Sequence, residues 1–371
     1  MTLTKLGELI EQSFEINFQG KYKASDVRGM TITKEVIPTK AKIKNTDLSR
    51  FLIVKPNEFI YNPRTHGKRI GLGFNQTSQP FIISWNNIAF RIKNEQMVNP
   101  IYLFMHFNRL EWDRQAVFDS WGSSTEVFSW NSLCDMEIDL PPLHIQEKYV
   151  AVYKSMLDNQ KTYETGLEDL KLVCDATIDK FQKYEKKEQI GKFIELYDAR
   201  NKKNEPLAFK GLSMENYFID SIANSHGLDF TKYKAVYPKT FAAVLMKVGR
   251  DKRITIAKNN SNEKYMISSA YFTFKATSTI NEDYLMSVMS TNNFDLRCWF
   301  NSDSSIRGSL EWNRFCEVEI PIPPLHIQQC IADIYNAYIT RNEINEKLKQ
   351  QIKDICPILI AGAIKEASAN G

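Results

Sequence analysis

The stretch that decides the fold occurs twice in the chain. Its first copy runs from Trp130 to Gln146 and reads WNSLCDMEIDLPPLHIQ, and its second copy runs from Trp312 to Gln328 and reads WNRFCEVEIPIPPLHIQ. The two copies align without a gap at an offset of 182 residues, close to half of the 371-residue chain. A repeat at a fixed offset is the signature of a duplicated architecture. The sequence therefore predicts two equivalent halves.

Each copy predicts a short strand followed by a helix. The apolar runs 136–140 and 318–322 are typical of strands. Proline cannot donate a hydrogen bond to a β-ladder, so the Pro-Pro pair ends each strand. The fixed φ of proline suits the first turn of a helix, which the following Leu-His-Ile-Gln begins.

The segments after the two proline pairs, 143–187 and 325–371, are predicted to be long helices. Apolar side chains recur every seven residues in the first segment, at Tyr149, Met156, Tyr163 and Leu170. Heptad spacing with charged residues between indicates a helix that packs along another helix. Because the chain supplies both helices, an intramolecular pair is favoured over a long homodimer coil. Pro357 is expected to end or kink the second helix early.

The expected fold class is α+β. Two β-rich globular domains are each followed by a long α-helix, the helices form an antiparallel coiled coil, and the halves make a pseudo-twofold internal repeat. Alternating apolar residues such as Ile88, Phe90 and Ile92 indicate the half-buried strands of these domains. The predicted bounds are 1–142 for the first β-rich domain, 143–187 for the first helix, 188–324 for the second domain and 325–371 for the second helix.

Composition narrows the class without identifying it. The net charge of +4 permits nucleic-acid binding but does not argue for it. Neither a signal peptide nor an apolar run of membrane-spanning length is evident, so a cytoplasmic protein is expected. Two pairs of cysteines share the 182-residue offset, Cys134 with Cys316 and Cys174 with Cys356, which indicates inherited core positions rather than a disulfide framework.

Motifs for catalysis and cofactor binding are missing from the sequence. It contains no phosphate-binding G-x-x-x-x-G-K-[ST], no G-x-S-x-G and no H-E-x-x-H. Leu140-Pro141-Pro142-Leu143 lacks the Asn/Asp-Pro-Pro-aromatic order of amino-methyltransferases. His144 and His326 repeat, but their place in a first helical turn favours a capping or interface role over catalysis. The chain is therefore expected not to be an enzyme by itself, and to carry no metal and no cofactor.

Basic, glycine-containing loops at equivalent places in the two halves are candidate DNA contacts. Arginine reaches guanine edges with two hydrogen bonds, lysine and threonine hold phosphates, and glycine permits close approach of the backbone. A solvated hairpin loop is the alternative reading. Serine and asparagine residues beside strands form a second, weaker set. The candidates in the first half are Arg28, Arg64, Thr65, His66, Lys68, Arg69, Ser84, Trp85, Asn86, Ser123 and Ser124. Those in the second half are Lys247, Arg250, Lys252, Arg253, Ser268, Ser269 and Arg307.

Together these features resemble the specificity subunit of type I restriction–modification systems. The resemblance covers the whole chain and rests on the two junctions from Ile138 to Gln146 and from Ile320 to Gln328, each joining a β-rich body to a long helix. It implies two target-recognition domains, each reading one half of a split double-stranded DNA site. It also implies that the helices dock two modification (methyltransferase) subunits, which restriction (ATP-dependent translocase and nuclease) subunits join. Methylation, cleavage, S-adenosylmethionine and ATP would belong to these partners.

Two other functions stay open. The chain could be the target-recognition portion of a fused methyltransferase or nuclease, although the missing methyltransferase motifs count against this reading. It could also be a coiled-coil scaffold without a nucleic-acid role, in which case the two bodies would share no positive face. Differences between the bodies at Asn62-Pro63-Arg64-Thr65 imply two different half-sites and an asymmetric target. Neither the bases read nor the spacing of the half-sites follows from the sequence.

Overall fold

The computed structural model describes residues 3–43, 46–64, 69–121, 126–221, 229–303 and 308–369. The chain divides into two compact units: unit 1 comprises Met1–Lys161 and Glu346–Gly371, and unit 2 comprises Thr162–Asn345. Each unit contains one copy of the repeated stretch and a segment of each long helix. These units are defined by packing, and the domain bounds inferred from the repeat at residues 142, 187 and 324 stay a prediction.

Short strands and helices precede the first long helix. In chain order they are β1 (Leu3–Lys5), α1 (Leu6–Leu9), β2 (Ile10–Ser13), β3 (Arg28–Met30), β4 (Val36–Pro38), β5 (Leu52–Val54), β6 (Phe59–Tyr61), β7 (Leu72–Phe74), β8 (Phe81–Ile83), β9 (Ile88–Ile92), α2 (Pro100–Phe107), α3 (Leu110–Phe118), α4 (Trp130–Asp135), β10 (Glu137–Asp139) and the long helix α5 (Leu143–Tyr184).

The second half repeats this order, except that a 3₁₀ turn (Ile190–Lys192) takes the place of α1 and a short helix lies between its sixth and seventh strands. Its elements are β11 (Lys187–Gln189), β12 (Ile194–Leu196), β13 (Ala208–Leu212), β14 (Phe218–Asp220), β15 (Lys234–Val236), β16 (Phe241–Val244), α6 (Val248–Asp251), β17 (Thr255–Lys258), β18 (Tyr265–Ile267), β19 (Phe272–Ala276), α7 (Glu282–Met289), α8 (Asn292–Asn301), α9 (Trp312–Cys316), β20 (Glu319–Pro321) and the long helix α10 (Leu325–Ala369). The order of mixed strands and helices confirms the predicted α+β class.

A four-stranded antiparallel sheet forms the centre of each unit. Its strand order is β2-β9-β6-β7 in unit 1 and β12-β19-β16-β17 in unit 2. In each sheet two phenylalanines on neighbouring strands face each other, Phe59 with Phe90 and Phe241 with Phe274, and their rings stack at 5.1 and 5.0 Å. All four side chains are fully buried. The sheets therefore pack their cores in the same way.

The repeated stretch forms the junction between sheet and long helix, as its sequence predicts. Its strand pairs antiparallel with the first strand of its half, β10 with β1 and β20 with β11. The glutamine that ends each copy is buried, Gln146 at 0% and Gln328 at 1% exposure. Each glutamine accepts a hydrogen bond at 2.9 Å from the backbone N–H of the N-cap asparagine of the preceding α2 or α7 helix, Asn99 or Asn281. Each also donates to the carbonyl of the first proline of the pair.

One glycine near the start of each half packs directly on a repeated cysteine. A Cβ atom on Gly7 would lie 2.9 Å from Cys134 Cβ, and one on Gly191 would lie 2.7 Å from Cys316 Cβ. These separations are shorter than real Cβ contacts, so only glycine fits at either position. Cys134 and Cys316 are thus free cysteines that each pack against a glycine of their own half.

The two long helices contact each other within each unit. In unit 1 the Lys148 ammonium pairs with Glu366 at 2.8 Å, and Tyr149 lies against Gly362. The apolar contact there includes Ile145, Val150, Tyr153, Ile352, Cys356, Leu359, Ile360 and Ala363. In unit 2 the Arg341 guanidinium lies over the Tyr163 ring at 5.1 Å, and Lys171 lies over Tyr338 at 6.0 Å. A continuous antiparallel coiled coil along both helices stays a prediction.

Pro357 does not end the second long helix, so that part of the expectation is wrong. The helix continues through Pro357 to Ala369. Residues on both sides of the proline, Cys356, Leu359 and Ile360, are buried in the cluster that α5 and α10 share in unit 1. Burial of this apolar face outweighs the loss of one backbone hydrogen bond at the proline. Among the described residues, no helix combines the length and apolarity that crossing a membrane requires.

Candidate nucleic-acid interface

The strand register places the candidate loops at one end of the sheet in each unit. In unit 1, Tyr61 of β6 faces Ile88 of β9. The basic loop that follows Tyr61 and the turn 84–87 that precedes Ile88 therefore meet at the same sheet end. In unit 2, Ala243 of β16 faces Phe272 of β19, so the loop 245–254 and the turn 268–271 share the corresponding end.

An equivalent backbone hydrogen bond joins the basic loop to the segment just before α4 in unit 1 and just before α9 in unit 2. The Phe128 N–H donates to the Pro63 carbonyl at 2.7 Å, and the equivalent Leu310 N–H donates to the Leu245 carbonyl at 2.8 Å. Arg64 also forms an isolated bridge with Val127. The start of each basic loop is thus hydrogen-bonded to the segment that precedes α4 or α9.

Close glycine packing fixes this junction in unit 2. The Gly249 N–H donates to the Gly308 carbonyl at 2.7 Å, and a Cβ on Gly249 would lie 2.8 Å from Gly308 Cα. Gly308 has a φ of +57°, a conformation that other residues rarely adopt. Glycine is therefore required on both sides of this contact.

The described charged residues of the first loop are exposed, whereas the Arg28 side chain is hydrogen-bonded to nearby backbone carbonyls. Arg64 and Arg69 are exposed. Arg28 lies in β3, and its guanidinium donates to the Ser25 and Val27 carbonyls at 2.6 and 3.2 Å. It has donors left for a ligand, but its orientation is set by its own backbone.

The cations of the second loop differ in exposure and in their partners. Lys247 and Arg250 are exposed, and Arg250 pairs with the adjacent Asp251 at 2.7 Å. The Lys252 ammonium lies 4.9 Å from the Trp299 ring. Arg253 is half-buried, with its Nε atom 3.7 Å from the Asp295 carboxylate. Lys247 and Lys252 have positive φ angles of 71° and 52°, so the loop is sharply bent at both residues.

The turns beside the loops contain small polar side chains and one exposed aromatic ring. The Trp85 side chain is 60% exposed, and the Arg50 guanidinium lies 5.3 Å from its ring. Asn86 and Ser269 are exposed, and Ser84 and Ser268 are half-buried. Thr65, His66, Lys68, Ser123, Ser124 and Arg307 lie outside the described residues. The assignment of the whole set to DNA contact stays a prediction.

The sequence analysis missed several residues of this surface. Arg50 escaped notice because it approaches Trp85 from a distant part of the sequence. The 182-residue offset could have identified two pairs. Phe118 and Phe300 are 85% and 84% exposed at the ends of α3 and α8, and Asp113 and Asp295 are buried on the same two helices. The duplication therefore preserves residue type and exposure at these positions too, outside the most similar stretch.

In the part of the chain that the structure describes, no three His, Cys, Asp or Glu side chains cluster as metal ligands would. His144 and His326 are exposed at the starts of α5 and α10. The neighbouring glutamines, rather than these histidines, tie each helix start to the preceding helix.

One family model matches part of the chain. Residues 250–354 match the model described as type I restriction modification DNA specificity domain. This segment begins at Arg250 in the second basic loop and extends into α10. No curated protein matches the chain.

Solved structures match along nearly the whole chain. A crystal structure of a type I restriction-modification system S subunit from M. genitalium matches with a TM-score of 0.53 and 11% identity, covering 99% of this chain and 95% of that one. An HsdS subunit from Thermoanaerobacter tengcongensis matches at 15% identity over 99% and 96% of the two chains, with a TM-score of 0.36. A chain of a type I R-M system complex matches at 14% identity over 97% of each chain, with a TM-score of 0.44. The first match and the family model confirm the resemblance inferred from the repeated stretches.

Proposed function

We propose that this chain, which carries a type I restriction modification DNA specificity domain on the fold of an S subunit, is the DNA-recognition subunit of a type I restriction–modification complex. The observation that carries the proposal is the duplicated surface. In each unit the start of a basic loop, the segment that precedes α4 or α9 and a polar turn meet at the same end of an equivalent sheet. An arrangement that recurs with different side chains suits two readers of different sequences.

Each unit reads one half of a bipartite, asymmetric DNA site. Unit 1 presents Arg64 and Arg69, and unit 2 presents Arg250 and Lys252. Arginine supplies paired hydrogen bonds to guanine, while lysine supplies charge to phosphates. Because the spacing of these cations differs between the loops, the two half-sites differ. The serine and asparagine residues of the turns, Ser84, Asn86, Ser268 and Ser269, belong to the same two surfaces.

The chain recognises DNA and leaves the chemistry to partner subunits. Two modification subunits dock on the long helices, which expose apolar side chains such as Val152, Leu172 and Ile358. Restriction subunits join through the assembled complex in the cytoplasm. The chain binds no cofactor, and its target-recognition domains span 1–142 and 188–324, with the helices 143–187 and 325–371 between and after them. Apolar side chains exposed along a helix support a role in assembly.

Co-purification followed by DNA titration tests this function. The chain would be isolated from its host with its associated proteins, and the complex titrated with double-stranded DNA at several salt concentrations. We expect a co-purifying methyltransferase and an affinity that falls steeply with salt, because cations on two loops displace counterions from phosphates. If the chain purifies without a methyltransferase and does not bind DNA, it would instead be a scaffold.

A further inference from the structure

Two buried aspartates occupy matched positions beneath the candidate interface. Asp113 lies on α3 and Asp295 lies on α8, at an offset of 182 residues, with exposures of 6% and 8%. Aspartate is almost never fully buried unless its charge is paired. The retention of a buried carboxylate at the same place in two diverged units therefore points to a shared task.

In unit 2 the carboxylate holds the end of the basic loop. Asp295 Oδ1 accepts a hydrogen bond at 3.1 Å from the backbone N–H of Ile254, which is fully buried. Ile254 is the last residue before β17. The bond thus fixes the point where the loop returns to the sheet.

The second carboxylate oxygen faces the last cation of the loop. Asp295 Oδ2 lies 3.7 Å from Arg253 Nε, and this nitrogen is buried without a hydrogen-bond partner. The separation is too long for a hydrogen bond but close enough for strong attraction in a buried setting. Burial raises the pKa of Asp295, while the Ile254 N–H and Arg253 oppose that rise. Arg253 is thus half-buried with its Nε atom against Asp295, whereas Arg250 is exposed and pairs with its neighbour Asp251.

Helix α8 holds the loop at a further point. Trp299, one turn beyond Asp295, stacks beneath the Lys252 ammonium at 4.9 Å. At the other side of the loop, the Gly249–Gly308 and Leu245–Leu310 backbone bonds hold its first part. Lys247, Arg250 and Lys252 are the exposed cations of the loop. One helix thus sets how the loop is presented.

The matched carboxylate of unit 1 lies in a comparable setting. Asp113 Oδ1 pairs with the buried Lys34 ammonium at 2.8 Å, and Lys34 has a positive φ of 64° at the tip of the β3–β4 hairpin. The charge of Arg69, at the end of the first basic loop, lowers the pKa of Asp113, although burial raises it more. A buried carboxylate at this position of the helix thus recurs in both units, with Lys34 of the hairpin as its partner in unit 1.

We infer that Asp295 is a positioning residue for DNA recognition and that Arg253 braces its carboxylate instead of reading a base. This inference rests on the proposed function and deepens it, because it separates the exposed cations of the second loop, Lys247, Arg250 and Lys252, which contact DNA, from Arg253, which does not. Asp295 acts through the Ile254 backbone and touches no DNA. Asp113 is its counterpart in unit 1.

Four variants of the assembled methyltransferase test the division. Asp295→Ala removes the acceptor for the Ile254 N–H, Asp295→Asn keeps it, and Asp295→Asn with Arg253→Met removes both charges. Asp220→Asn, at an exposed carboxylate elsewhere in unit 2, is the matched control. The readouts are thermal unfolding and the methylation rates of DNA altered in one half-site at a time. The half-site of unit 2 is the one whose discrimination changes in Arg250→Ala.

The expected pattern separates positioning from reading. Asp295→Ala lowers discrimination at the half-site of unit 2 about tenfold and leaves the other half-site unchanged. Asp295→Asn and the double variant both discriminate as the wild type does, because each keeps the bond to Ile254. A double variant that discriminates worse than Asp295→Asn would make Arg253 a reader and overturn the inference.

The remaining outcomes are also decisive. If Asp295→Asn fails as completely as Asp295→Ala, or if either impairs both half-sites alike, the carboxylate serves the core alone and the inference is wrong. Should Asp295→Ala not fold, the comparison of Asp295→Asn with the double variant still decides the role of Arg253. Failure of the wild-type complex to methylate a specific site would refute the proposed function itself.

Discussion

Gln146 and Gln328 illustrate, at the scale of single residues, what the duplication preserves. Each buried amide joins the start of a long helix to the N-cap asparagine of a short one, with the same bond at 2.9 Å. The sequence repeat identified both glutamines but not their role, because the asparagines lie 47 residues upstream and outside the repeated stretch. Such partners become visible only when the chain is folded.

Gln328→Leu is expected to destabilise unit 2. The change leaves the buried Asn281 N–H and the Pro323 carbonyl without their partner. Each unsatisfied buried group costs about 1–3 kcal/mol. Chemical denaturation should therefore show a loss in this range or above. Gln351→Leu, at an exposed position of the same long helix, is the control. Equal stability of Gln328→Leu and the control would contradict the role assigned to the buried amide.

His106 is expected to make unit 1 sensitive to acid. Burial and the nearby Arg109 lower its pKa from 6.5 to about 3, so the folded state holds it neutral. A lowered folded pKa contributes stability that is present above the unfolded pKa and lost as the pH falls towards the folded value. The loss should approach about 1.4 kcal/mol per pH unit below pH ~6.5.

The matched residue in unit 2 supplies the control for this prediction. Val288 occupies the position equivalent to His106. His106→Val should therefore flatten the pH dependence of unfolding between pH ~6.5 and pH ~4, as measured by thermal melts across that range. A variant with the same acid profile as the wild type would show that His106 is already charged in the folded protein.

At the scale of elements, local chemistry in the sequence predicted the junctions better than the loops. The Pro-Pro pair predicted a strand followed by a long helix, and both occur. Pro357 misled the same reasoning because the burial of Cys356 and Ile360 around it is a tertiary effect. The hydrogen bond between the basic loop and the segment before α4 or α9 could not be predicted from the sequence either, since it depends on which strands pair.

Gly191→Ala tests the glycine–cysteine contact that closes each half. The added methyl would lie 2.7 Å from Cys316 Cβ and 3.0 Å from its carbonyl oxygen, so the backbone must shift. Overpacking of this kind typically costs about 1–3 kcal/mol. Gly29→Ala is the matched control, because a Cβ there meets no atom within 4 Å. Denaturation midpoints of the two variants should differ accordingly, and coinciding midpoints would refute the contact.

At the scale of the whole molecule, the repeat alone predicted two equivalent halves, and the structure confirms equivalent sheets, junctions and buried cores. The candidate site was predictable in kind but not in detail. Basic loops at matched positions predicted a nucleic-acid interface, but only the structure shows which of their cations are exposed. Arg250 and Arg253 look alike in sequence, but one is exposed and the other faces Asp295.

The most direct test of the account is the methylation pattern that the assembled complex writes on genomic DNA. Sequencing of methylated bases should reveal one bipartite, asymmetric motif for the wild type. Arg64→Ala should relax base preference in one half of that motif only, and Arg250→Ala in the other half only, each by about 1–3 kcal/mol. A contiguous motif, or variants of one unit that alter both halves alike, would contradict the assignment of one half-site to each unit.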